Sequence, residues 1–127
     1  MIVIDASVVL ELLLKGQKAA AAQSAVAGYK NWAAPHLLDV EVVQVLRRFV
    51  LSGECDSKRA EQSLNLLSLM PITRYTHQPL VRRVWAWREN LTAYDASYVA
   101  LAEALGCPLV TRDKKLAASA QPIAQLI

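Results

Sequence analysis

Four acids stand out by position: Asp5 closing "IVID", Glu41 inside "LLDVEVVQVL", Asp95 in "LTAYDASY", and Asp113 just after "LVT". Grouped carboxylates can move protons or share a hard cation. Each acid also has an ordinary explanation. Asp5 and Asp113 precede helical stretches and suit N-caps, and Thr92-x-x-Asp95 reads as a capping box in which Asp95 accepts the Thr92 N–H and opposes the helix dipole. Glu41 interrupts an apolar helix face between Leu37, Leu38 and Val45, where a salt bridge to Arg48 or Arg112 would answer it. Brought together, the four need a single explanation, because like charges about 5 Å apart repel by roughly 3 kcal/mol at an effective dielectric of about 20. Apolar surroundings add to that cost unless a cation compensates. Hard oxygen donors without His or Cys among them favour Mg²⁺ or Mn²⁺, completed by water and a substrate phosphate.

The elements that must position these acids follow from local pattern. "IVID" predicts a strand over 2–5, followed by a helix capped by Asp5 or Ser7. A helix over 17–27 ends at Gly28, and "NWAAP" is a short extended piece. Leu38, Val42, Val45, Leu46 and Phe49 recur at helical spacing over 36–53. Asp56 or Ser57 caps a helix that turns Leu64, Leu67 and Leu69 inward, and "PITRY" is extended. Thr76 opens a helix reaching Asn90, with Pro79 tolerated in its first turn. A helix over 93–105 stops at Gly106, "PLVT" is a strand, a short helix starts from Asp113, and "PIAQLI" forms a last edge strand. Such alternation predicts a three-layer α/β/α domain with a mostly parallel sheet of about four to five strands. Open parallel sheets bind ligands beyond the carboxyl ends of their strands, the rim where Asp5 and Asp113 both fall.

The totals set bounds. At 127 residues the chain is read as one domain, 1–127. Although 54% of residues are hydrophobic, acids break each apolar run well before it could span a bilayer. The start "MIVIDAS" lacks a basic segment followed by an apolar one, so a cytoplasmic location is expected. Cys55 and Cys107 show neither CxxC nor Cys/His spacing and read as structural. Fourteen basic residues against eleven acidic ones give +3, a modest pointer to a polyanionic partner.

Taken in order, "MIVIDASVVLELLL", "APHLLDVEVVQVLRR" and "LTAYDASYVALAEALGCPLVTRDKKL" resemble PIN-domain ribonucleases, specifically the VapC toxins of bacterial toxin–antitoxin pairs. The resemblance covers essentially the whole chain. It implies that Asp5, Glu41, Asp95 and Asp113 form an acidic site binding Mg²⁺ or Mn²⁺, with Ser7 and Thr111 as supporting polar groups. It also implies cleavage of an RNA phosphodiester, an antitoxin partner and a homodimer. Some members carry a further acid two positions after the last aspartate, where this chain has Lys115.

Setting the four acids aside leaves seven acidic residues against fourteen basic ones, a distribution suited to a phosphate backbone. Arg112 and Lys114 lie nearest the site in sequence, with Arg47, Arg48, Arg82, Arg83 and Lys115 as further candidates for RNA contact. Trp85 and Trp87 cannot share a helix face, so at least one packs in the core or an interface. His36 and His77, at helix beginnings, read as surface or capping residues. Ser7 has no activating base in view and reads as a hydrogen-bond donor rather than a nucleophile. Two other readings compete. One is a catalytically silent PIN module that binds RNA or protein; the other is a haloacid-dehalogenase-type phosphatase, against which Ser7 stands where that family's second aspartate belongs.

Overall fold

The computed structural model describes residues 1–127. Its centre is β1 (Ile2–Ile4), whose three side chains are completely buried. An unbroken apolar strand of this kind needs cover on both faces, as in a parallel sheet. Five parallel strands run in the order β3 (Ile72–Tyr75), β2 (Trp32–Pro35), β1, β4 (Leu109–Thr111) and β5 (Ala124–Leu126). The edge strands expose Thr73 and Gln125, while Ala33 and Ala34 of β2 are fully buried. The expected strand count, direction and final edge strand all hold.

Seven α-helices supply the cover. The helices α1 (Ala6–Leu14), α2 (Ala19–Ala27), α3 (Leu37–Leu51) and α4 (Ser57–Leu69) connect β1, β2 and β3 and pack on one another. The helices α5 (Val81–Ala86) and α6 (Ala93–Leu105) carry the chain back from β3 to β4, and α7 (Lys114–Ser119) leads to β5. Right-handed crossovers in opposite directions put these two groups on opposite faces. All seven residues Ala96–Ala102 of α6 are buried, and its alanines let it lie close against β1, β2 and β4. Because the chain leaves β1 toward β2 but leaves β4 toward β5, the crevice between the ends of β1 and β4 is the topological switch point of the sheet.

Two local expectations differ from the structure. The segment 76–90 is not one helix: a 3₁₀ turn at Gln78–Leu80 precedes a six-residue α5, followed by turns. No residue of the 3₁₀ turn or α5 is fully buried, so packing does not enforce a long regular helix there. In α4, Leu67 is buried and Leu64 half-buried, but Leu69 is 78% exposed. Residues two apart on a helix point in nearly opposite directions, so Leu67 and Leu69 cannot both enter the core. Cys55 and Cys107 are unpaired, half-buried residues in the connections after α3 and α6. Trp87 packs against the core and donates its indole N–H to Glu103 at 2.9 Å, whereas Trp85 is 67% exposed.

Candidate active site

Asp5 follows β1 directly and is the N-cap of α1, in extended conformation. Capping uses only part of its carboxylate. Oδ1 accepts the Val8 N–H at 3.1 Å and the Ser7 hydroxyl at 2.5 Å, while Oδ2 accepts the Thr111 hydroxyl. Both hydroxyls accept in turn from the backbone leaving β4: Arg112 N–H reaches Ser7 Oγ and Asp113 N–H reaches Thr111 Oγ1, each at 2.9 Å. Ser7 and Thr111 thus form a bolt of hydrogen bonds joining the ends of β1 and β4 at the switch point. The Ser7 proton is committed to Asp5, which agrees with its reading as a donor rather than a nucleophile.

Asp5 is 6% exposed, and burial pushes its carboxyl above the ordinary aspartate value despite three donors; the charge of Asp95 adds to the rise. Glu41, half-buried on α3, is also raised, first by burial and then by Asp95 and Asp5. Asp95 in the first turn of α6 is raised by burial and by Asp113. The four acids are therefore one electrostatic cluster, although they come from four separate segments.

Their partners correct several expectations. The salt bridge expected for Glu41 is not formed; it accepts the hydroxyl of Tyr98 at 2.6 Å, and Tyr98 is 1% exposed. The phenol of Tyr98 is held in its neutral, donating form by burial and by Glu41. Arg112 instead pairs with Glu11, a carboxylate only 6% exposed that also accepts the Lys18 N–H at 3.0 Å. Sequence reading missed both Glu11 and Tyr98. In α1, Glu11 looks like a surface acid, and in α6 Tyr98 looks like core packing; each is placed by a partner far away in the chain. The capping box is half-formed: Asp95 N–H donates to Thr92 Oγ1 at 3.2 Å, without the return bond in which the Thr92 N–H donates to the Asp95 carboxylate. Asp113 is exposed and caps α7, accepting from Lys115 N–H and Leu116 N–H at 2.8 and 3.1 Å.

The ion pairs in the chain join Arg74 to Asp39, Arg83 to Glu103 and Arg112 to Glu11. None reaches the four clustered acids, so hydroxyls and backbone N–H groups, and no side-chain cation, meet their mutual repulsion. No three acidic, histidine or cysteine side chains converge tightly enough to form a complete metal cage. The donor set instead matches a cation held by one or two carboxylates and otherwise by water and substrate oxygens, the usual way Mg²⁺ binds. Of the basic residues expected near nucleic acid, Arg112 and Arg83 are engaged by Glu11 and Glu103, whereas Arg47, Arg48, Lys114 and Lys115 are exposed. His36 and His77 are exposed at helix starts, neither making a side-chain cap bond. Beside the acids opens a cleft of about 740 Å³ between α1 and α3, which shares Ser7 and Glu41 with them.

The family described as PIN domain matches residues 2–121. Ribonuclease VapC9 of Mycobacterium tuberculosis is 44% identical over 124 residues, covering 95% of this chain and 92% of that protein. Ribonuclease VapC1 of the same organism is 51% identical over 87 residues, which span 68% of this chain and 65% of that protein's length. The crystal structure of PAE2754 from Pyrobaculum aerophilum superposes with a TM-score of 0.76 at 27% identity, over 98% of this chain and 87% of that one. With an acid cluster at the switch point of a five-stranded parallel sheet, and with matches along nearly its whole length, the chain belongs to the PIN-domain family and to its VapC group.

Proposed function

We propose that the chain is an endoribonuclease that hydrolyses RNA phosphodiester bonds as the toxin of a toxin–antitoxin pair, using Mg²⁺ or Mn²⁺ at Asp5, Glu41, Asp95 and Asp113. The observation that carries this reading is the electrostatic one: three of these acids are raised by burial and by one another, the fourth adds to the repulsion, and no protein cation answers them. The VapC relatives bear the name ribonuclease, which supports the same activity. Asp5, locked by Ser7, Thr111 and the start of α1, is the rigid ligand; Asp95 and Asp113 complete the acidic mouth. When bound, the ion supplies positive charge that acidifies the attacking water and offsets the charge of the scissile phosphate. Glu41, its carboxylate steadied by Tyr98 Oη, would either join the ion's ligands or orient the attacking water.

The remaining assignments belong to the same reading. Residues 1–127 act as one PIN domain in the cytoplasm, where two unpaired cysteines are at home. No helix is long and apolar enough to cross a membrane. An antitoxin holds the enzyme inactive. Exposed Leu66 and Leu69 on α4, together with Val81 and Trp85 on α5, offer apolar surface for a homodimer.

The absence of a closed three-acid cage favours a second reading, a PIN module that binds RNA without cutting it. One assay separates the two: purified protein on mixed cellular RNA in Mg²⁺, Mn²⁺ and EDTA, beside Asp5→Asn and Asp95→Asn prepared identically. Discrete, metal-dependent cuts that vanish in both variants establish the nuclease. Equal behaviour of wild type and variants, with RNA retention intact, leaves the binding module.

A further inference from the structure

The cleft between α1 and α3 takes in Glu41 of the four acids and extends along α3 to Arg48 and Phe49. Glu41, Gln44 and Arg48 stand at positions 0, +3 and +7 of α3, one continuous face of the helix, and all three line the cleft. Seven residues advance about 10 Å along a helix axis, a nucleotide-scale span. The walls are apolar: Leu10 and Leu14 of α1 face Phe49 of α3, each half-buried, and the 62%-exposed ring of Tyr94 stands at the mouth beside Asp95. A volume of about 740 Å³ lies within the range of small-ligand sites.

The polar groups differ in how free they are. The Arg112 guanidinium is engaged by buried Glu11, so it gives the cleft little spare charge. Arg48 is exposed and takes part in none of the ion pairs, and Gln44 is exposed with its amide unengaged. Flat apolar walls accept a base face, an amide offers paired donor and acceptor to a base edge, and a free arginine accepts a phosphate. An unpaired nucleotide presents all three matching features: a base face, a base edge and a phosphate. An apolar peptide segment would use the walls and pair its backbone with the amide, but would leave the arginine without an anion.

We propose that this cleft is the subsite for one unpaired nucleotide next to the cut, with Gln44 reading its base and Arg48 holding the phosphate beyond it. The inference rests on the nuclease reading and adds to it a determinant of sequence choice.

The test uses full-length wild type, Gln44→Glu and Arg48→Ala, checked for unchanged melting, in two assays. A short single-stranded RNA pool randomised around the cut is cleaved in Mg²⁺ and mapped, and equilibrium binding to the same pool is measured in EDTA, where hydrolysis is excluded. Gln44→Glu replaces a donor–acceptor pair with acceptors only. It should shift base preference by about tenfold at one fixed position while cutting persists. Arg48→Ala should raise KM several-fold and lower the salt slope of binding by about one, leaving base preference as it was. If wild type cuts and both variants keep its base preference, KM and affinity, the subsite is overturned while the nuclease stands, and the cleft passes to a protein partner. If nothing cuts but the base preference in EDTA still depends on Gln44, the nuclease reading falls and the subsite stands. If neither variant changes anything in either assay and wild type is inert, both are wrong.

Discussion

Replacing Asp95 with asparagine separates a helix cap from a member of a charged site, because the two roles predict opposite signs in stability. As a first-turn acid, Asp95 opposes the dipole of α6, a favourable interaction of about 0.5 kcal/mol. As a cluster member it faces Asp5, Glu41 and Asp113. Like charges roughly 8 Å apart repel by about 1 kcal/mol at an effective dielectric near 40, and salt screening halves that. Three such interactions total about 1.5 kcal/mol, so Asp95→Asn should gain about 1 kcal/mol net. For a domain of this size that raises Tm by about 3–5 °C at about 0.1 M salt without divalent metal.

The pH dependence follows from the same directions. The folded-state pKa values of Asp5, Glu41 and Asp95 all lie above their ordinary values, so the native state holds more protons than the unfolded chain in the window between. Stability from these groups therefore falls as pH rises from about 4 through the raised values. The Tm advantage of the variant should shrink as pH drops through that window, where the wild type neutralises itself. Calorimetric melts across pH, with and without Mg²⁺, test this. Mg²⁺ should raise the wild-type Tm more than the variant's, and the variant should not cleave RNA. A variant that melts below wild type, with the same Mg²⁺ response, refutes the reasoning and returns Asp95 to being a cap.

Other perturbations read out single contacts. Tyr98→Phe removes the one hydroxyl that lowers the Glu41 pKa, so the acid limb of kcat/KM against pH should move to higher pH. Because Glu41 is half-exposed, the stability cost should be only about 1 kcal/mol, and an unmoved limb would separate Glu41 from the chemistry. Thr111→Val withdraws a donor from Asp5 and an acceptor from the Asp113 N–H at a fully buried site; urea melts should show a loss of about 2 kcal/mol, largely recovered in Thr111→Ser. Arg112→Ala strands the buried carboxylate of Glu11 and should cost about 2 kcal/mol. An unchanged Tm with weakened RNA binding would instead make Arg112 a phosphate contact.

What the sequence by itself determined is the part written in local pattern. Apolar β-branched "IVI", the caps Asp5, Asp56 and Asp113, and the stop at Gly106 depend on neighbours within a few residues, so strand and helix positions were legible. The four acids stood out in the sequence only as a set, because capping explains Asp5, Asp95 and Asp113 one at a time. Tertiary structure alone decided who answers them. Thr111 reaches Asp5 across 106 residues and Tyr98 reaches Glu41 across 57, while Arg112, a neighbour of the site in sequence, is drawn to Glu11. Segment 76–90 was misjudged for the same reason: its helix-forming residues set a propensity, but shallow burial left only six of them in α5. Propensity and capping act over one turn of chain, whereas hydrogen bonds and ion pairs act through space. Only the strand order β3-β2-β1-β4-β5 brings the ends of β1 and β4 together, and with them the acids.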